Sequence, residues 1–334
     1  MAIEHVVVVV MENLTFDALY GSDPHLVPVK LPPCCPVVGR WCDNSHRAAL
    51  AGLGGPGCRC AVPASAALWF RRLGQAATLL THCFSPVRGP SLPNHLMLMC
   101  ADSPFITDVP APAVPPLPSV FDRVARRGLT WRGYTGRPHG GPALLPHLRG
   151  RPEIRPVSAF FEDVRAGRLP ALAWVIPPFA LSAHPPMPWT WAAAFLSHVL
   201  DAVRNSPNWL SALVLAVFDD WGGYFDHVWP PIVEFWEDGT PFRDGFRVPA
   251  WLYSAYTPPG PNQTPCTGLS LLKLVEELFD LEPLTFRDAE APSLRGLIAR
   301  QPREVPALPL LPWPTAWIVR TWDTLAEAWG HLGM

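Results

Sequence analysis

The chain has 334 residues, of which 43 are proline and 15 tryptophan, with 49% hydrophobic residues and a formal charge of −2. Proline at this level, well above the ~5% average, would suit a disordered polymer, but such chains lack the apolar surface that offsets chain entropy, and the glycines show no collagen period. The near-neutral charge gives no field for capturing nucleic acid, and no apolar run reaches the ~20 residues that cross a bilayer.

Proline breaks helix interiors and central strands, so regular elements are expected between the prolines. Val6 to Val10 is a β-branched run with the pattern of a strand buried on both faces. The stretch 24–63 is rich in Pro, Gly and Cys and reads as an insertion or cap. Residues 119–128 read as a helix followed by an extended segment to Tyr134, and 157–167 as a helix followed by a strand from Ala171 to Ile176. Trp191 to Arg204 is a further helix, Ala212 to Phe218 a buried strand, Val248 to Tyr253 another strand, and Ser270 to Phe279 an amphipathic helix. This alternation predicts an α/β protein, three-layered, with a mainly parallel central sheet. A catalytic domain over 1–290 and a C-terminal extension over 291–334 packing on it complete the expected organisation, with a helix over 316–331.

In an open parallel sheet, ligands bind beyond the carboxyl ends of the strands. Glu12 and Asn13 follow the first strand, Ser182 and His184 follow the strand ending at Ile176, and Asp219, Asp220, Asp226 and His227 follow Phe218. Adjacent buried carboxylates repel each other, and a hard divalent cation held by Glu12, Asp219 and Asp220 removes that cost. Arg88 to His95 is the fourth piece: Ser91 stands where a helix N-cap belongs, with Pro93 in the first turn. A hydroxyl there faces free backbone N–H groups and the positive end of the helix dipole. Beside a metal it becomes an activated nucleophile.

Met11-Glu12-Asn13-Leu14-Thr15-Phe16-Asp17 resembles the opening motif of the bacterial phosphoesterase family, a branch of the alkaline phosphatase superfamily. That family contains the phosphatidylcholine-preferring phospholipases C and acid phosphatase A. Gly89-Pro90-Ser91-Leu92-Pro93-Asn94 is similar to its nucleophile motif, Ser182-Ala183-His184-Pro185 to its Ser-Glu-His-Pro, and Phe218 to His227 to its Asp-Glu…Asp-His stretch. Phe246-Arg247-Val248-Pro249 and Leu284 to Asp288 are weaker landmarks, and the resemblance runs over residues 3–290 in the family's order.

The resemblance implies a metal site of Glu12, Asn13, Ser91, Asp219 and Asp220, holding a divalent ion that the sequence leaves open among Ca, Zn, Mg and Mn. It also implies in-line attack by Ser91 through a phosphoserine intermediate. His184 and His227 would contact phosphoryl oxygens or protonate the leaving group, Asp226 would orient a neighbour, and Asn94 would hold a phosphate oxygen. The implied substrate is a phosphate ester or phospholipid. A phospholipase C-like diesterase leads, with an acid phosphatase-like monoesterase and an inactive lipid- or ligand-binding relative as alternatives. Transient contact with a lipid surface is compatible with either enzyme. No signal peptide is evident, so the chain reads as cytoplasmic as written, although the family is often exported. Departures are Ala183 for the family's Glu, Asp220 where phospholipases C often have Glu, and Thr267-Gly268 in place of its Asp-His.

Each residue taken singly has a plainer reading: Ser91 as an N-cap, Asp219-Asp220 as a loop, His184 and His227 as structural groups. His95 has a weaker claim, resting on its place after Asn94. The eight cysteines, five of them within residues 34–60, favour disulfides over a structural zinc. Trp189, Trp191, Trp221, Trp229 and Trp236 suit core packing, or a lipid or choline entrance.

Overall fold

Val6 to Val10 lie at the heart of the sheet, all but excluded from solvent. In a computed structural model, which describes residues 3–34, 42–51, 58–137, 140–235 and 237–314, they belong to β1 (His5–Met11). The short α1 (Phe16–Tyr20) and α2 (His46–Ala51) follow, then α3 (Ala64–Ala76), β2 (Thr78–Leu80), β3 (Cys83–Phe84) and α4 (Ser91–Cys100). Next come α5 (Val120–Arg126), β4 (Trp131–Thr135), β5 (Ile154–Pro156), α6 (Val157–Arg165), β6 (Leu172–Ile176), α7 (Trp189–Arg204) and β7 (Ala212–Phe218). The described chain closes with β8 (Ile232–Phe235), β9 (Pro241–Arg243), β10 (Ala250–Tyr253), β11 (Gly260–Asn262), β12 (Cys266–Thr267), α8 (Gly268–Phe279) and α9 (Phe286–Glu290).

Eight strands form one sheet in the order β11-β2-β10-β7-β1-β6-β4-β5. β1 pairs in parallel with both β6 and β7, and β4 in parallel with β5 and β6, while β10 runs antiparallel to β7 and β2. Helices α3, α6 and α7 pack together, and α4, α5 and α8 form a second group. The architecture is the expected α/β fold, mainly parallel with one antiparallel strand. Local chemistry sets the boundaries: α5 starts at a capping box in which Ser119 accepts from the Asp122 N–H and the Asp122 carboxylate accepts from the Ser119 N–H. The proline-free stretch 64–85 holds α3 and the short β2 and β3.

Within the 24–63 segment, Cys34–Cys60 and Cys42–Cys58 are disulfides, while Cys83, Cys100 and Cys266 are free and buried. Cys35 lies outside the described residues. The expected disulfides thus form in the cluster, and the zinc alternative there is replaced by two closed loops. The described part of the C-terminal extension lies against α3 and α7. Trp69 Nε1 donates to Pro309 O at 2.8 Å, Arg204 Nη2 donates to Val305 O at 3.0 Å, and Trp313 stacks on His198. The helix expected over 316–331 lies outside the described residues.

One buried pair gives a stability prediction. Glu276 on α8 faces Asp288 on α9, and burial followed by that carboxylate pushes the Glu276 pKa up to about 9. Its folded pKa exceeds its unfolded one, so the stability linked to its proton is present below the ordinary glutamate range and is lost as pH rises toward 9. Glu276→Gln supplies a permanent N–H donor to Asp288. Thermal unfolding should show little change at pH 5 and a Tm advantage that grows toward pH 9. A Tm difference independent of pH would show that the pair does not share a proton.

Candidate active site

The carboxyl ends of β1 and β7 are stitched together: Asp219 N donates to Met11 O and Leu14 N donates to Asp220 O, both at 3.0 Å. Asn13 turns sharply out of β1 with φ 60°, a left-handed conformation that asparagine tolerates better than most residues, and its N–H donates to Asp219 Oδ1 at 2.9 Å. Gly222 is required beside it, because a Cβ there would lie 2.4 Å from the Asn13 carbonyl oxygen and its φ is +58°. β6 contributes through the loop after it, where Ser182 O accepts from Glu12 N at 2.9 Å.

Ser91 arrives from the other side, on the first turn of α4. Pro90 occupies the N-cap position and Ser91 is the first helical residue, one place later than its expected capping position. Its hydroxyl therefore does not cap its own helix. It donates to Asp220 Oδ2 at 3.0 Å and lies 3.4 Å from Asn13 Oδ1 and 3.5 Å from Glu12 Oε2. The structure thus brings together all five residues of the expected metal-and-nucleophile set.

Asn94 has a different job from the expected one. Its Oδ1 accepts from Val87 N at 2.9 Å, and its Nδ2 donates to Gly89 O and Pro90 O at 3.2 and 2.9 Å. The fully buried amide is committed to the turn before Ser91, so it shapes the nucleophile loop in place of holding a phosphate oxygen.

His184 lies against Asn13. Its Nδ1 lies 2.7 Å from Pro185 O, which fixes the proton on Nδ1 and leaves a lone pair on Nε2. Burial, the largest influence, lowers its pKa, keeping the ring neutral. The Asn13 amide has one terminal atom 2.9 and 3.1 Å from the Asp220 oxygens and the other 3.2 Å from His184 Nε2. Taken with Asp220 alone, the amide nitrogen would face the carboxylate. In the opposite orientation the neutral His184 lone pair accepts from the amide N–H and the amide oxygen faces Ser91 and Asp220, the orientation a metal ligand needs.

Two residues outside the expected set complete the site. His95, buried on α4, places Nε2 3.5 Å from Asp219 Oδ2 and 3.7 Å from Glu12 Oε1. Although burial opposes it, Asp219 and Glu12 push its pKa up to about 9. Arg137, just beyond β4, sets Nη1 2.9 Å from Glu12 Oε1. Burial works against the Glu12 charge, but Arg137 and the two histidines hold its pKa well below the carboxylate range. Placement after Asn94 was a sequence signal for His95; Arg137 sits in a loop with no motif to mark it.

A divalent cation fits this donor set. Glu12, His95 and Asp219 each aim a ligand atom within 4.8 Å of the others. Asp219 Oδ2 is buried without a hydrogen-bond partner, and burial with the neighbouring Asp219 raises the Asp220 pKa well above normal. A positive charge among these oxygens relieves both costs.

Asp226 and His227 belong to a second cluster. His227 Nδ1 lies 2.8 Å from Asp17 Oδ2, while Arg247 donates to Asp17 Oδ1 at 2.6 Å and to Asp226 Oδ2 at 3.2 Å. Asp226 also accepts from the Asp17 N–H at 3.0 Å. Asp226 therefore orients Arg247 and the start of α1, and the carboxylate that orients His227 is Asp17. Of the tryptophans near the motifs, Trp189 and Trp221 are buried, Trp221 stacking on Phe246, whereas Trp229 is exposed. Trp236 lies outside the described residues.

The fold resembles solved structures that share little sequence with it. A protein in the alkaline phosphatase superfamily from Vibrio parahaemolyticus superposes with a TM-score of 0.52 at 11% identity, over 86% of this chain and 69% of that one. The lipoteichoic acid synthase LtaP from Listeria monocytogenes gives 0.52 at 10% identity, over 87% and 76%. In sequence, a non-hemolytic phospholipase C of Pseudomonas aeruginosa is 30% identical over 156 residues, 38% of this chain and 22% of that protein. Phospholipase C B of Mycobacterium tuberculosis is 33% identical over 141 residues, 36% of this chain and 27% of the other. The non-specific phospholipase C3 of Arabidopsis thaliana is 28% identical over 273 residues, 69% and 50%. The matches thus span about a quarter of these bacterial relatives and half of the plant one. The Phosphoesterase family profile matches residues 63–282, well over half the chain, and with Ser91, Asp219 and Asp220 inside that span the chain belongs to the Phosphoesterase family.

Proposed function

We propose that this chain is a metal-dependent phosphoric ester hydrolase working through a phosphoserine intermediate, with a phospholipase C-like preference for phosphodiesters. The observation that carries the reading is the Ser91 hydroxyl, set at the N-terminus of α4 and aimed into the oxygens of Glu12, Asn13 and Asp220. The relatives named phospholipase C support the diester preference. Trp229, Ile232, Val233 and Phe235, exposed on and beside the β8–β9 hairpin that follows His227, support contact with a lipid surface.

Glu12, Asn13, Ser91, Asp219 and Asp220 would hold the ion, with His95 beside them. A bound divalent cation supplies Lewis-acid stabilisation of developing oxyanions. Ser91 Oγ attacks phosphorus in line and forms the serine–phosphorus ester, its proton passing to Asp220, which already accepts that hydrogen bond. The bond from phosphorus to the leaving alcohol oxygen breaks, and that oxygen takes a proton. His227 suits this donation through Nε2, because Asp17 holds its Nδ1. Water then attacks phosphorus, giving its proton to His227, the phosphorus–Ser91 Oγ bond breaks, and Ser91 takes its proton back from Asp220.

The test uses 4-nitrophenyl phosphorylcholine and 4-nitrophenyl phosphate. Turnover of the diester should exceed that of the monoester, disappear on exhaustive chelation, and return with one of Ca, Zn, Mg or Mn added singly. Activity that survives chelation overturns the metal assignment. Faster monoester turnover moves the assignment to an acid phosphatase-like enzyme, and no turnover of either favours a ligand-binding relative.

A further inference from the structure

Between α4 and α5 runs a Pro-rich loop that crosses the nucleophile turn. A Cβ on Gly89 would lie 2.8 Å from the Ile106 carbonyl oxygen, so the loop passes directly over the residue two before Ser91. Phe105 and Val109 pack against the core and pin the loop on either side. Between them, Asp108 extends its carboxylate to the start of α4, where Oδ1 accepts from the Leu92 N–H at 2.9 Å.

That donor is a scarce one. Pro90 offers no capping side chain to α4, and Pro93 has no N–H, so the Leu92 amide is one of the few free donors on the first turn. It is peptide-bonded to the nucleophile residue, and a phosphoryl group on Ser91 Oγ would sit beside it. The Asp108 charge is felt across the site: behind burial and the neighbouring Asp219, it helps raise the pKa of Asp220. Asp108 itself is solvent-exposed and outside the set of Glu12, Asn13, Asp219 and Asp220, so its charge is additional to theirs.

We propose that Asp108 is a specificity-determining residue: its carboxylate, seated on the Leu92 amide beside Ser91, disfavours phosphomonoester dianions and leaves phosphodiester monoanions as the preferred substrates. The proposal rests on the phosphoesterase reading above. A monoester dianion carries one more negative charge than a diester with the same leaving group, and both meet the Asp108 carboxylate that the Leu92 N–H holds one residue from Ser91. A unit charge at that range in a solvent-exposed site changes the ratio of the two rates by about five- to tenfold. The carboxylate also competes for the N–H that would otherwise serve a phosphoryl oxygen, and a cationic headgroup on a diester meets attraction at the same position.

Asparagine separates charge from capping, since its side-chain oxygen still accepts from Leu92 N–H. With 4-nitrophenyl phosphate and its methyl diester at pH 8, Asp108→Asn should raise monoester kcat/KM relative to diester by about five- to tenfold. Asp108→Glu, which keeps the charge, should retain the wild-type ratio. Binding of inorganic phosphate, measured calorimetrically at fixed divalent metal, should tighten in Asp108→Asn by a similar factor and depend less on salt. An unchanged ester ratio and unchanged phosphate affinity in Asp108→Asn would reduce Asp108 to a helix cap and overturn the proposal. Phosphate binding requires no turnover, so a wild-type protein inert toward both esters would count against the hydrolase reading while the phosphate titration still decides the role of Asp108.

Discussion

On the proposed mechanism, Ser91→Ala should lower kcat for any phosphate ester by about 10⁴-fold or more, with the fold unchanged and the metal retained by the four remaining ligands. The expectation follows from what the hydroxyl touches. It is the one group at the site that is both nucleophilic and placed on the first turn of α4, and it already donates to Asp220 Oδ2 at 3.0 Å. Alanine removes the attacking atom and leaves Glu12, Asn13, Asp219 and Asp220 in place. Three measurements check this together: steady-state turnover, trapping of a phosphorylated protein by acid quench, and divalent metal content. Wild-type protein should yield a covalent phosphate that Ser91→Ala does not, at equal metal occupancy. Turnover in Ser91→Ala within tenfold of wild type would move the nucleophile elsewhere. Loss of activity together with loss of bound metal would show the hydroxyl to be a ligand first.

Much of this site was legible in the sequence because its parts follow strand ends. A run such as Val6–Val10 can only be a buried central strand, so Glu12 and Asn13 had to emerge at the sheet's carboxyl edge. The same logic applied to Ala212–Phe218 and Asp219-Asp220. The antiparallel β10 and the short β2 were less visible, since three or four buried residues carry no direction in their pattern. Arg137, Asp108 and the partnership of Asp17 with His227 were not legible at all. Each depends on a loop or helix start being brought across the sheet edge from far along the chain, and side-chain direction there is fixed by tertiary packing. Asn94 shows the reverse case: its motif position was correct, but only the packed turn reveals that all its hydrogen-bonding capacity goes to Val87, Gly89 and Pro90.

The second cluster, around Arg247, is where a single substitution should cost most in stability. Asp17 and Asp226 are fully buried, and Arg247, itself 3% exposed, is the cation between them. Its guanidinium reaches Asp17 through Nη2 and Asp226 through Nε, donates from Nη1 to Thr81 O at 3.1 Å, and lies 4.4 Å over the Phe16 ring. Four segments meet on one side chain: the start of α1, the end of β2, the loop before β8 and the approach to β10. Arg247→Leu keeps much of the apolar stem but strands two carboxylates in the interior, and breaking a buried pair in this way costs about 3–5 kcal/mol. Tm at pH 7.5 should fall on the order of 10 °C. The deficit should shrink as pH falls, because the stranded carboxylates can then take up protons. Burial, opposed by Arg247, already places the Asp226 pKa at about 6. Removing the opposing cation raises it further, so the variant binds an extra proton in the folded state and gains stability relative to wild type on acidification. Arg247→Lys restores charge without the planar fork and should recover only part of the loss. A Tm within 2 °C of wild type for Arg247→Leu would show that these carboxylates are neutral or hydrated in the folded protein, and that the junction is held by packing of Phe16 and its neighbours alone.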